Sequence, residues 1–121
     1  MPNSIEFIDI VWRFSGFDPS GVVIEFEFPG PTSSTETTPF RETAIVGREQ
    51  LRCYYIVQNN SISRVHAELK YIYGQGLVIS DLGSSNGTFL NGEQITNEYY
   101  LLTTGDNVRF GEIELTVSIR S

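Results

Sequence analysis

A chain of 121 residues with 40% hydrophobic and 19% charged side chains has room for one globular domain, and its composition excludes a disordered or fibrous protein. A formal net charge of −7, with Lys70 the only lysine, argues against nucleic acid as a direct ligand, because proteins that track a nucleic-acid groove neutralise phosphates with Lys and Arg. No apolar run approaches the ~20 residues of a membrane-spanning helix, so no membrane insertion by this segment is expected.

The opening Met1-Pro2-Asn3-Ser4-Ile5-Glu6 has neither the basic nor the apolar region of a secretory signal. Cys53 is the only cysteine, which removes an internal disulfide and a cysteine-based metal site from consideration. No cofactor or metal is expected, and an intracellular setting, cytoplasmic or nuclear, fits best.

Taken in chain order, the dominant apolar period is two. Ile8, Ile10, Trp12 and Phe14 alternate with more polar neighbours, so Ile5–Phe14 reads as a first strand. Val22, Ile24, Phe26 and Phe28 repeat the pattern in a second. The stretch Pro29–Glu42, rich in Pro, Ser and Thr, has no apolar period and is expected to be a mobile loop. Ile45–Val46, Tyr54–Val57 and Leu77–Ile79 are brief strand candidates. Val65, Ala67, Leu69, Tyr71 and Tyr73 form a longer one, with Arg64, His66 and Glu68 assigned to its other face. The last strand carries Ile113, Leu115, Val117 and Ile119. Turn residues fall between the runs at Gly74-Gln75-Gly76, Asn86-Gly87, Asn91-Gly92 and Gly105-Asp106-Asn107. Asn-Gly suits type I′ hairpins because both residues accept positive φ. No window has the period of an amphipathic helix, so an all-β, antiparallel β-sandwich is expected.

Three clusters carry recognition chemistry. Arg48, after Gly47 at the end of a short strand, offers a rigid fork of donors suited to phosphate or carboxylate oxygens. Ser63-Arg64-Val65-His66 follows a polar loop and supplies a hydroxyl, a guanidinium and an imidazole. Asp81-Leu82-Gly83-Ser84-Ser85-Asn86-Gly87-Thr88 places Ser85 and Asn86 at a loop tip. None pairs an evident nucleophile with a base and a carboxylate. His66 reads as a structural histidine bonded to loop backbone, and Cys53, in a Tyr-rich apolar stretch, as an inert thiol. Binding without catalysis is expected.

In this order and spacing, Gly47-Arg48, Ser63-Arg64-x-His66 and Ser84-Ser85-Asn86-Gly87-Thr88 resemble the forkhead-associated (FHA) family. The resemblance implies one FHA domain over 1–121, with 43–119 as its core and 1–42 supplying the N-terminal strands and the loop 29–42. It implies a sandwich of about eleven strands, FHA/SMAD-like, whose loops at one end grip a phosphothreonine. Position by position, Arg48, Ser63, Arg64 and Ser85 resemble the phosphate contacts, and Asn86 the residue that fixes the peptide backbone. Gly47, His66 and Gly87 resemble the residues that support the site. The implied partner is a phosphothreonine-containing protein or peptide, a substrate of Ser/Thr kinases. Specificity beyond the phosphothreonine is expected from loop residues, with Thr96–Glu98 and Ser61 as candidates. The alternative is an FHA-like scaffold that associates without phosphorylation, for which Tyr54, Tyr55, Tyr71, Tyr73, Tyr99 and Tyr100 offer material.

Overall fold

The computed structural model describes residues 9–32 and 41–120. Ile5–Ile8 of the expected first strand and residues 33–40 of the expected loop lie outside them. Among the described residues there are eleven strands and no helix. Strand β1 is Val11–Phe17, β2 Val23–Pro29, β3 Thr43–Gly47, β4 Tyr55–Ile56, β5 Ala67–Ile72 and β6 Gly76–Asp81. They are followed by β7 Thr88–Leu90, β8 Glu93–Gln94, β9 Tyr100–Leu101, β10 Asn107–Phe110 and β11 Ile113–Arg120.

The strands form two sheets, ordered β2-β1-β11-β10-β7-β8 and β4-β3-β5-β6-β9. Period-two alternation explains why they face each other. In β11, Ile113, Leu115 and Val117 are buried while Glu114, Thr116 and Ser118 are exposed, so burial of one apolar face drives the packing. Trp12 and Phe14 of β1 and Val108 and Phe110 of β10 meet Leu69 and Tyr71 of β5 and Leu77 and Ile79 of β6 in one core. Trp12 lies edge-on to Tyr71, ring centres 5.9 Å apart, a favourable aromatic geometry. Among the described residues, the pairing departs from a purely antiparallel sandwich at one place. Strands β3 and β4 pair in parallel, Val46 with Tyr55 and Gly47 with Ile56.

Register fixes what gathers at one end. Ala67, the start of β5, is paired with Asp81, the end of β6, and Val46 of β3 also pairs with Ala67. Thr88, the start of β7, is paired with Phe110, the end of β10, which pairs with Ile113. The segments after β3, before β5, between β6 and β7 and between β10 and β11 therefore share one end of the sandwich.

Candidate functional site

The loop before β5 is fixed by one apolar anchor and a set of polar bonds. Ile62, the lone aliphatic residue between Ser61 and Ser63, is 1% exposed. Its burial pins the loop while both serines remain partly accessible. Asn59 Oδ1 accepts from the Ser61 amide at 2.8 Å and from its hydroxyl at 2.7 Å, an Asx turn.

Ser63 to His66 do not extend β5. The strand starts at Ala67, and His66 is as fully buried as Ala67, so the alternation expected from Val65 onward begins only after the histidine. The cause is the imidazole. Ser63 N–H donates to His66 Nδ1 at 3.0 Å instead of joining a ladder. With Nδ1 accepting, the proton sits on Nε2, which donates to the Gly87 carbonyl at 3.0 Å. Both ring nitrogens are thus engaged by backbone. Burial pushes the His66 pKa down, against smaller upward effects of Gly87 and Asp81.

Between β6 and β7, Asp81 organises the loop. Its carboxylate accepts from the Ser84 and Thr88 hydroxyls at 2.6 and 2.7 Å and from the Gly83 and Ser84 amides at 2.9 and 3.1 Å. Burial opposes its ionisation, but these hydrogen bonds together outweigh it and lower its pKa. Gly87 takes φ +87°, and a Cβ there would stand 2.9 Å from both Phe89 and Gln94. Asn86 does not take positive φ, so Asn86-Gly87 is not the type I′ turn its sequence suggests. Its tertiary bonds override the local preference.

The three clusters are bonded to one another. Ser85 N–H donates to Ser63 Oγ at 2.9 Å, and Asn86 Nδ2 donates to the Ser61 carbonyl at 2.9 Å. Arg48 Nε donates to the Ile62 carbonyl at 2.9 Å, and Arg48 N–H bonds the Ser63 and Arg64 carbonyls at 3.0 and 3.2 Å. Gly47 permits this approach. A Cβ there would collide with the Arg64 carbonyl oxygen and lie 2.6 Å from Cys53 Sγ. Cys53 is buried, donates to that same carbonyl at 3.0 Å, and has its thiol pKa raised by burial.

Arg48, Ser63, Arg64, Ser85 and Asn86 thus come together, with Gly47, His66 and Gly87 behind them. Among the described residues, Arg48 and Arg64 form no ion pair, whereas Arg13, Arg52 and Arg120 each meet a glutamate. Glu49 stands near both site arginines, but its hydrogen bond from Arg52 holds its carboxyl below the usual value, with Arg64 and Arg48 adding to the effect. Ser63 Oγ accepts from Ser85, which leaves its proton to donate outward. The cluster gathers two guanidiniums, two hydroxyls and an amide, donor types suited to an oxyanion.

Sequence reading missed Asn59, Ile62, Asp81 and Ser84 as builders of this end. The D-x-G-S spacing of Asp81 to Ser84 was the available signal, since a carboxylate two or three residues before N–H groups forms an Asx turn. Of the specificity candidates, Ser61 is bonded into the turn. The Thr96 carbonyl accepts from Asp81 N–H at 3.0 Å, which brings the Thr96–Glu98 loop beside the end of β6. Among the tyrosines, Tyr55 and Tyr71 are buried, while Tyr54, Tyr73 and Tyr99 are exposed.

A family model described as "FHA domain" matches residues 44–111, more than half of the chain. The chain is 35% identical over 83 residues to angiogenic factor with G patch and FHA domains 1 of Mus musculus, covering 63% of this chain and 12% of that protein. It spans 12–19% of the length of the curated relatives it matches. The solution structure of the FHA domain of an Arabidopsis thaliana hypothetical protein is similar at a TM-score of 0.71 and 25% identity, over 100% of this chain and 94% of that one. An FHA domain solved in a study of phosphothreonine-dependent FHA interactions is similar at 0.66 and 26%, over 93% and 98% of the two chains.

Proposed function

This chain belongs to the forkhead-associated family, a family of phosphopeptide-binding modules, and we propose that it binds a phosphothreonine peptide of a kinase substrate without altering it. The observation that carries the reading is the bonded cluster of Arg48, Ser63, Arg64, Ser85 and Asn86, in which neither arginine has an ion-pair partner among the described residues. A phosphate brings about −1.5 to −2 charges and three acceptor oxygens. Arg48 and Arg64 supply the countercharge, and Ser63 and Ser85 supply hydroxyl donors. Asn86, with one N–H on Ser61, keeps its Oδ1 and second N–H for the backbone beside the phosphothreonine. Charge-assisted bonds of roughly 1.5–3 kcal/mol each, less the cost of association, give a complex of about −8 kcal/mol, or micromolar. No step in this requires a nucleophile, cofactor or metal. The similar FHA domain described for phosphothreonine-dependent interactions supports the choice of residue. The module would serve as one part of a longer intracellular protein.

Titration against an oriented phosphothreonine peptide library tests this. Micromolar binding to some members and none to their unphosphorylated forms is expected, and Arg48→Ala is expected to lose it while remaining folded. A library with no binder above its unphosphorylated controls would falsify the reading.

A second reading, association between copies independent of phosphate, is favoured by one observation. Strands β2 and β4 are sheet edges, and beside them Val22, Val23, Tyr54 and Ile56 are exposed. Light scattering before and after phosphatase treatment separates the two, because oligomers of this kind would be indifferent to the enzyme.

A further inference from the structure

Strands β10 and β11 are joined by Gly111-Glu112, with Phe110 paired to Ile113 across the turn. Gly111 has φ +58° and Glu112 has no positive φ, the arrangement of a type II′ turn with glycine first. A Cβ on Gly111 would stand 2.5 Å from the Ser61 carbonyl oxygen and 2.6 Å from its hydroxyl. The turn is thus pressed onto Ser61, and two bonds hold it there. Gly111 N–H donates to the Gly87 carbonyl at 2.9 Å, and Glu112 N–H donates to Ser61 Oγ at 2.9 Å. Ser61 is also the residue whose carbonyl receives the Asn86 amide. Glu112 therefore stands one residue from Asn86, its backbone held and the residue itself exposed to solvent.

Its charge is uncommitted. Among the described residues Glu112 forms no ion pair. Arg109, close in sequence, lies over the Phe89 ring at 3.9 Å and donates to the Gly111 carbonyl at 2.6 Å instead. Glu49, the carboxylate near the site arginines, is already held by Arg52 at 2.7 and 2.9 Å. The recognition end is consequently bipolar, with two cations about Ser63 and one available carboxylate beyond Ser61 and Asn86.

We propose that Glu112 is a specificity determinant, selecting phosphothreonine partners that carry a lysine or arginine a few residues from the phosphorylated one. The inference rests on the phosphothreonine reading above. With the phosphate on the arginines and the backbone at Asn86, Glu112 is the neighbouring charged residue on the far side of Ser61, which both Asn86 and Glu112 bond. Ser61 alone separates the bonds of Asn86 and Glu112, and an extended chain covers about 3.3–3.6 Å per residue, so the basic residue is placed within about four residues of the phosphothreonine. The pair is solvent-exposed, so its effect is modest and falls with added salt.

Fluorescence titration of matched phosphothreonine peptides tests it, with lysine, alanine or glutamate scanned across about four residues on either side of the phosphothreonine. At one position lysine is expected to bind roughly three- to five-fold tighter than alanine, and glutamate to bind weaker. Glu112→Gln should erase that difference and leave the alanine peptide's affinity unchanged. Glu112→Lys should invert the preference. A flat lysine scan among peptides that do bind, or a preference that survives Glu112→Gln, would overturn the proposal alone. Absence of binding by every phosphorylated peptide would overturn the phosphothreonine reading and this inference together.

Discussion

Asn91-Gly92 and Asn86-Gly87 are the same dipeptide in the same β-rich surroundings, yet they adopt different conformations. At Asn91-Gly92 both residues take positive φ, 52° and 88°, and close the hairpin between β7 and β8. At Asn86-Gly87 only the glycine does. A Cβ on Gly92 would meet nothing within 4 Å, whereas one on Gly87 would strike Phe89 and Gln94. Asn91 reaches Asp106 and Asn107 at the neighbouring turn, and Asn86 reaches Ser61 in the loop before β5. Local preference sets the turn at Asn91-Gly92, and tertiary bonds override it at Asn86-Gly87. What the side chain spans decides which of the two prevails.

The two turns should differ most at their glycines. Gly87→Ala is expected to cost about 2–4 kcal/mol of stability, since it adds a collision to backbone strain, while Gly92→Ala carries only the strain, about 1 kcal/mol. Urea unfolding of both variants checks this, and equal midpoints would erase the distinction. The asparagines sharpen it next. Asn86→Ala should weaken phosphothreonine-peptide binding by at least about tenfold, roughly 1.5 kcal/mol, and Asn91→Ala should leave affinity unchanged while lowering stability by about 1 kcal/mol. Parallel peptide titration and denaturation would expose any exchange of roles.

The smallest effect is on pH. His66 is held neutral in the fold, its pKa below the ordinary 6.5 chiefly through burial. Unfolding therefore takes up a proton at mildly acid pH. The stabilisation from the neutral ring is complete above pH 6.5, declines as pH falls below it, and stops declining under the folded value. Asp81, also lowered, behaves the same way further down, its contribution present above 3.8 and lost as pH drops through its folded value. Unfolding midpoints from pH 7.5 to 5 should slope for the native chain and lie flatter for His66→Gln, a shift of about 1 kcal/mol or less.

The long strands were legible in the sequence, and the short ones were not. The alternations around Trp12, Phe26, Leu69 and Leu115 each mark a strand, because one buried face forces a period of two. Strands β8 and β9, of two residues each, are too short to show any period, and β7 and β10 were hidden in turn-rich sequence. The residues that meet at this end of the sandwich stood out through their spacing. The loop geometry did not, because Ser63 spends its amide on an imidazole three residues on, and Asn86 on a carbonyl 25 residues back. Contacts of that kind leave no local periodicity to read.

The Gly87 carbonyl oxygen accepts from both His66 Nε2 and the Gly111 amide. One atom with two lone pairs therefore joins the serine loop, the asparagine loop and the last hairpin. These segments should breathe as one unit, with the amide hydrogens of Ser63, Ser85 and Gly111 exchanging with solvent at a common rate. A ligand that quiets any one of them should slow exchange in all three, the hairpin between β10 and β11 included.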